Sequence, residues 1–396
     1  MDSFHGGAPR DRWLGSGHSV ESDAFGAASA ATRMAIDGRR DAKLLVVFSS
    51  DSYDLDALAK GVEEVAPDVP MIGCSTAGEI AAAGPADASV VVTALGGPGF
   101  AVETGVANDA SLGLRAAANE AVRACTTGLD AREHSVVLLL TDGLGGDQME
   151  IIRGAYDVVG AQVPLVGGCA GDDLKMDATY QLFDGAVLRD AIVAAAISSD
   201  APIGIGVQHG WRPVGDPMLV SSSTGNRVDQ LDDQPALDVY LRRLDAPAQA
   251  WEDADAFTHF ALTHPLGITR RSGAEVRFVA EADFGTRSLV CIAGIPQGGL
   301  AWIMEGDEDS VLEATDGACR EALAGLNGEP PLGIVAFDCI ARRGVLGEEG
   351  IGREIDRIAT FADGAPVAGF YTYGEIARTT GRQGFHNQTL VVLALG

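Results

Sequence analysis

Lysine is nearly absent: it occurs only at 43, 60 and 175, among 28 basic residues set against 56 acidic ones, for a formal net charge of −28. A surface of that sign repels nucleic-acid phosphates and anionic lipid head groups, so neither a nucleic acid nor a membrane is an expected partner. Aromatic residues make up only 6% of the chain and are not interleaved with basic ones, which argues against a base-stacking groove. No apolar run reaches ten residues, too short for a helix to cross a bilayer. The opening MDSFHGGAPRDRWLGSGHS lacks the apolar stretch of a secretion signal, so a cytoplasmic location is expected. Cysteines stand at 74, 125, 169, 291, 319 and 339 with no C-x-x-C pair, a pattern of reduced thiols rather than of a disulfide framework or a zinc site. No G-K-[ST] follows a glycine-rich loop, and GIGVQHG spaces its glycines wrongly for a dinucleotide fingerprint.

What is present is a repeat. Residues 70–80 read PMIGCSTAGEI, 164–174 read PLVGGCAGDDL and 366–376 read PVAGFYTYGEI. Each opens on Pro, runs through a short apolar stretch to Gly, and closes on a Gly–acid step; the middle copy has Asp172 where the others have Glu79 and Glu375. A buried-type strand and a helical stretch precede each copy: KLLVVFSS with LDALAKGVEEVA, SVVLLLTD with MEIIRGAYDVVG, LGIVAFDC with GREIDRIATFA. Another apolar run follows each: SVVVTALG, DAIVAAAIS and TLVVLALG. The recurring unit is strand, helix, strand, strand. Its continuous apolar runs are those of strands covered on both faces.

With 396 residues, 46% of them hydrophobic, the chain suggests more than one core. The expected fold class is mixed α/β: two lobes of mixed β-sheet flanked by helices. Residues 1–42 read as an N-terminal arm, loose to about residue 20, followed by a first helix in SVESDAFGAASAATRMAID. A first domain then spans 43–235 and a second 236–396. Within the second, PALDVYLRRL and SVLEATDGACREALAGL read as helices, and AEVRFVAEAD, SLVCIAGIP and LAWIMEGD as strands, the first two forming an antiparallel hairpin.

The motif turns hold the chemistry-bearing residues. In the first, Cys74, Ser75, Thr76 and Glu79 present hydroxyls and a carboxylate for a ligand's polar end; the alternative is a helix capping box, Thr followed three residues later by Glu. In the third, Tyr371, Thr372 and Glu375 surround Gly374, where tyrosines suit a small ligand or pack into the core. FDCIARR supplies Cys339 and Arg342, the latter a carboxylate clamp or the partner of Asp338, Glu348 or Glu349. Asn387 in FHNQT offers hydrogen bonds, or ends the turn before the last strand. Together these residues are the expected ligand site, with Cys74–Glu79 lining the same cleft from the first lobe.

GCSTAGEI, PALDVY, FDCIARRGVLG and GFYTYGEIA with FHNQTLVVLAL together resemble the FIST domain family, over nearly the whole chain past residue 40. The resemblance implies an N-terminal and a C-terminal FIST domain. It also implies a sensory module of bacterial signal transduction that binds a small ligand, an amino acid or small carboxylate, without turnover. Its implied partner is a separate signalling protein such as a histidine kinase, a cyclic-dinucleotide enzyme or a chemotaxis receptor. A branch of the family binds haem and senses nitric oxide, with its ligand in the N-terminal domain beyond the second repeat. Here that region, KMDATYQLFDG, has no histidine, so no cofactor is expected; His209 is the remaining haem candidate. THFALTH sets His259 and His264 five apart, unlike a helical metal pair. The competing class is a thiol-dependent hydrolase using Cys169, in a G-x-C-x-G context, or Cys339. A nucleophile elbow would need a helix after Cys169, where DDLKMDATYQLFDG reads as loop then strand.

Overall fold

A computed structural model describes residues 11–84, 86, 88–270, 273–379 and 384–396. The repeat is visible as three sheets of the same plan. In the first, Trp13–Ser19, Val90–Gly96, Ala42–Ser50 and Met71–Thr76 lie side by side, the last two parallel and the rest antiparallel. The second repeats this order with Phe100–Ala107, Ile192–Ser199, His134–Thr141 and Leu165–Cys169. The third does so with Ile203–Gln208, Leu390–Leu395, Gly333–Cys339 and Val367–Thr372.

A fifth strand extends each sheet, and it comes from a different repeat; in the first two sheets a sixth, Ala186–Leu188 or Phe385–His386, follows it. Glu79–Ala81, after the first motif, pairs with the third motif strand; Glu375–Arg378, after the third, pairs with the second; Gln181–Phe183, after the second, pairs with the first. The exchange closes a ring, so the two expected lobes share one interior. The inner faces of all three sheets form a single apolar cluster that includes Phe48, Phe337 and Phe370, whose rings stand 4.6–6.3 Å apart. Each outer face carries a helix pair: Ala24–Ile36 with Leu55–Val65, Leu114–Thr126 with Gln148–Val159, and Glu308–Ala324 with Ile340–Ala362.

Glycine in the edge strands lets the helices come close. A Cβ on Gly17 would lie 1.9 Å from the Ala31 carbonyl oxygen, and one on Gly206 1.9 Å from that of Ala318. Those contacts need a bare backbone facing an alanine-rich helix. Two readings are corrected here. Residues 13–19, taken as part of a loose arm, are the edge strand of the first sheet; residues 1–10 of that arm lie outside the described residues. Thr76 and Glu79 do not cap a helix, because Glu79 begins a strand.

The third repeat is interrupted. Between Ile203–Gln208 and helix Glu308–Ala324 the chain builds a separate sheet. Its strand order is Gly273–Arg277, Leu266–Arg270, Leu300–Glu305, Arg212–Thr224, Arg227–Leu231, Ser288–Cys291 and Val279–Asp283. Helices Ala236–Arg243 and Ala254–Ala261 pack against it through Tyr240 and Phe257. The inserted sheet sits on the carboxyl end of the third repeat's parallel pair: Leu262 packs on Cys339 and Ala341, and Trp211 donates its indole N–H to the Gln388 carbonyl at 2.9 Å.

Candidate functional site

All ten residues expected to bind a ligand are buried, none more than 4% exposed. They fall into separate clusters. Thr372 donates to Glu375 at 2.6 Å, and Thr389 reaches the other carboxylate oxygen through its hydroxyl at 2.8 Å and its backbone N–H at 3.0 Å, with the Cys339 thiol alongside. The first repeat builds the same joint: Thr76 and Ser89 both donate to Glu79, Ser89 at 2.6 Å. Burial pushes each glutamate up to about 7, against the hydroxyl donors that favour its charged form. These carboxyls pin a motif turn to the start of the last strand of its own repeat.

Ser75 gives its hydroxyl to the Gly171 carbonyl and accepts from Tyr180 N–H, so it stitches repeats together. Cys74 lies in the shared interior. Neither polar atom of the Asn387 side chain has a hydrogen-bond partner. The clamp expected of Arg342 is corrected: its guanidinium already holds Asp338 and Glu354, both at 2.6 Å, wholly inside the protein. Tyr371 is buried beneath Arg343.

The repeat alignment is corrected too. By strand register the residue facing the neighbouring motif strand is Glu79 opposite Phe370, Glu375 opposite Gly168, and Gln181 opposite Cys74. Gln181, not Asp172, is therefore the second repeat's counterpart. Asp172 instead holds a loop, accepting backbone N–H bonds from Met176, Asp177 and Ala178 and the hydroxyl of Tyr373. Within that loop Asp173, Leu174 and Met176 adopt left-handed backbone, costly for such residues and sustained by those bonds.

An open cavity of about 360 Å³ lies where the inserted sheet meets the second repeat. Asp147, Met149 and Arg153 line it from the start of helix Gln148–Val159; Ser223, Gly225, Glu275, Arg277 and 294–297 line it from the inserted sheet, and Phe385 from the third repeat. Arg277, nearly buried, pairs with Glu275 at 2.5 Å; Arg153, about half exposed, pairs with Glu150. Asp147 caps the helix by accepting from Met149 N–H at 3.0 Å. Charges of both signs thus line both walls, Asp147 and Arg153 on the helix and Glu275 and Arg277 on the inserted sheet, beside a helix N-terminus that favours an anion. None of these residues stood out in the sequence. Only the GGDQ before the helix is a local cue, and it reads as an ordinary cap.

The thiols named for hydrolysis are poorly placed. Cys169 is buried and accepts a 3.2 Å bond from Thr141, and burial pushes it up to about 12. Burial raises Cys339 well above its ordinary value as well. His209 accepts the Trp211 N–H at 2.9 Å; burial, then Arg342 and His386, lower it to about 4, so its ring stays neutral.

The protein is thus a three-sheet α/β body with an inserted sheet that leaves an open cavity against it. The chain belongs to the FIST family, matching the FIST N domain over residues 43–234 and the FIST C domain over 236–378. FIST domains are sensory domains of signal transduction. Relatives include an uncharacterized protein of Mycobacterium tuberculosis, 24% identical over 66% of this chain and 68% of that one. Another, of Methanocaldococcus jannaschii, is 27% identical over 38% of this chain; the match spans about a third of its length, 31%. Among solved structures, a cyanuric acid hydrolase from A. caulinodans aligns at 13% identity with a TM-score of 0.29, over 48% of this chain and 71% of that one. Phosphoribosylformylglycinamidine synthase II from Thermotoga maritima aligns at 12% and 0.24, over 98% and 72%. At those scores neither likeness bears on function. Among the described residues no helix is long and apolar enough to cross a membrane.

Proposed function

We propose that this protein is a non-catalytic, ligand-binding sensor whose ligand occupies the cavity between the inserted sheet and the second repeat. The observation that carries the reading is the charge pattern of that cavity, with Arg153 and Arg277 facing the same space as Asp147 and Glu275. A small carboxylate matches the arginines and the helix N-terminus, and an amino acid adds an ammonium for the acids. The cavity joins two separately packed parts, so ligand that favours one arrangement of the inserted sheet on the body shifts that equilibrium. A separate signalling protein, such as a histidine kinase, a cyclic-dinucleotide enzyme or a chemotaxis receptor, reads the result. The buried thiols weigh against the hydrolase alternative, since little thiolate exists at neutral pH.

The test is a thermal-shift screen of amino acids and small carboxylates, where a binder at a hundredfold its Kd adds about 2.7 kcal/mol. Calorimetry of the best ligand against Arg153→Ala should then show affinity reduced at least tenfold, as Arg153 is exposed enough to remove without unfolding the protein. Unchanged affinity moves the ligand elsewhere. Turnover of any screened compound overturns the sensor reading.

A further inference from the structure

We infer that the buried Asp338–Arg342–Glu354 cluster holds one resident proton, bridging Asp338 Oδ2 and Glu354 Oε2, which locks the strand Gly333–Cys339 to the far half of the helix that follows it. Among the described residues the guanidinium is the only cation bonded to the two carboxyls. Its Nε donates to Asp338 Oδ1 and its Nη2 to Glu354 Oε1, each at 2.6 Å, and all three side chains are at most 1% exposed. One positive charge between two buried carboxylates leaves a net negative charge away from water, a costly state that a proton removes.

The hydrogen-bond pattern independently locates that proton. Asp338 Oδ2 and Glu354 Oε2 are both buried without a partner. The two carboxyls lie within hydrogen-bonding reach of each other; as two acceptors they cannot satisfy each other, but one O–H between them satisfies both. Glu354 Oε1 accepts the Thr315 hydroxyl at 2.6 Å as well as Arg342, whereas Asp338 Oδ1 accepts from Arg342 alone, so the proton is placed on Asp338. Burial, with Glu354 next to it, pushes Asp338 well above the carboxylate range, while Arg342 opposes.

The other groups facing the cluster do not supply a second positive charge to it. Tyr371, from Val367–Thr372, is a buried phenol whose hydroxyl has no partner; Cys319, on the neighbouring helix, is a buried thiol. His209 gives only its carbonyl, which accepts from Arg342 Nη1, and its ring stays neutral. Arg343 is turned to the Ala77 carbonyl, Asp173 and Glu348. The bridge crosses the break at Gly347, where a φ of 62° interrupts helix Ile340–Ala362. Through the His209 carbonyl it also touches the segment from which the inserted sheet departs.

The proton is testable because it must be counted. In infrared spectra at neutral pH, the carbonyl stretch of a protonated carboxylic acid should lose one group's intensity in Asp338→Asn. The amide of that variant donates to Glu354 Oε2 in the proton's place. Between the ordinary carboxylate pKa and that of the folded pair, the wild-type unfolding equilibrium should shift tenfold per pH unit more steeply toward unfolding than that of Asp338→Asn. Should Asp338→Asn fail to fold, Glu354→Gln removes the same proton and must give the same two changes. Wild-type and variant spectra with equal acid-carbonyl intensity, and unfolding curves with equal pH dependence, would mean that both carboxyls are ionised and would overturn the inference.

Discussion

The second repeat differs from the first and third at three linked positions, and the differences explain one another. Repeats one and three bury a carboxylate, Glu79 or Glu375, and surround it with two hydroxyl residues, Thr76 and Ser89 or Thr372 and Thr389. At the matching places the second repeat has Gln181, Ala170 and Ala191. Gln181 Oε1 still takes the Ala191 backbone N–H at 3.3 Å, as Glu375 takes that of Thr389, but its Nε2 has no partner. Charge and hydroxyls were lost or gained together, as expected if a buried carboxylate is tolerable only with donors on both oxygens.

The largest break in that comparison should come from Gln181→Glu. It places a charge, in a fully buried site, on a carboxylate that has the Ala191 N–H on one oxygen and no donor on the other. Above neutral pH it should cost roughly 3 kcal/mol or more in urea unfolding, and little in acid, where the protonated side chain is isosteric with glutamine. A loss independent of pH would show that shape rather than charge sets this position.

Glu79→Gln and Glu375→Gln should act in the opposite sense. Both carboxyls rise from 4.5 to about 7 on folding, so the folded state holds their protons more tightly than the unfolded chain. Their contribution is fully present below 4.5 and lost as pH rises through about 7. Each substitution should therefore flatten the stability–pH curve in that window by about 1.4 kcal/mol per pH unit at most. Parallel curves for wild type and variants would mean that the hydroxyls hold these carboxyls ionised throughout.

The repeat, the mixed α/β class and most elements were legible because they rest on local pattern: apolar runs covered on both faces, and glycine-punctuated turns. The exchange of strands around the ring was not, since pairing partners are chosen by packing and not by neighbours in sequence. That is why Asp172 passed for a third carboxylate: it follows Gly171 as Glu79 follows Gly78 and Glu375 follows Gly374, and only register shows that an eight-residue loop, 172–179, intervenes and brings Gln181 into place. Arg342 failed as a clamp for a related reason. The candidate partner Asp338 was visible four residues away, but Glu354 reaches back across the break at Gly347. The cavity was invisible because its walls come from five separate stretches of the chain, 147–153, 223–225, 275–277, 294–297 and 385.

The smallest effect sharpens the comparison most. Adding Ala191→Thr to Gln181→Glu restores one of the two missing hydroxyls, at the place where Thr389 serves Glu375 through both hydroxyl and backbone. Ala191 already offers its backbone N–H, so the new hydroxyl is the only added donor. A hydrogen bond to a buried charge contributes about 1.5–3 kcal/mol, less what the extra atoms cost in a tight core. A recovery of about 1 kcal/mol above neutral pH is expected, shrinking in acid as the carboxyl protonates. Recovery of the same size when Ala191→Thr is made beside the native Gln181 would trace the gain to packing rather than to the charge.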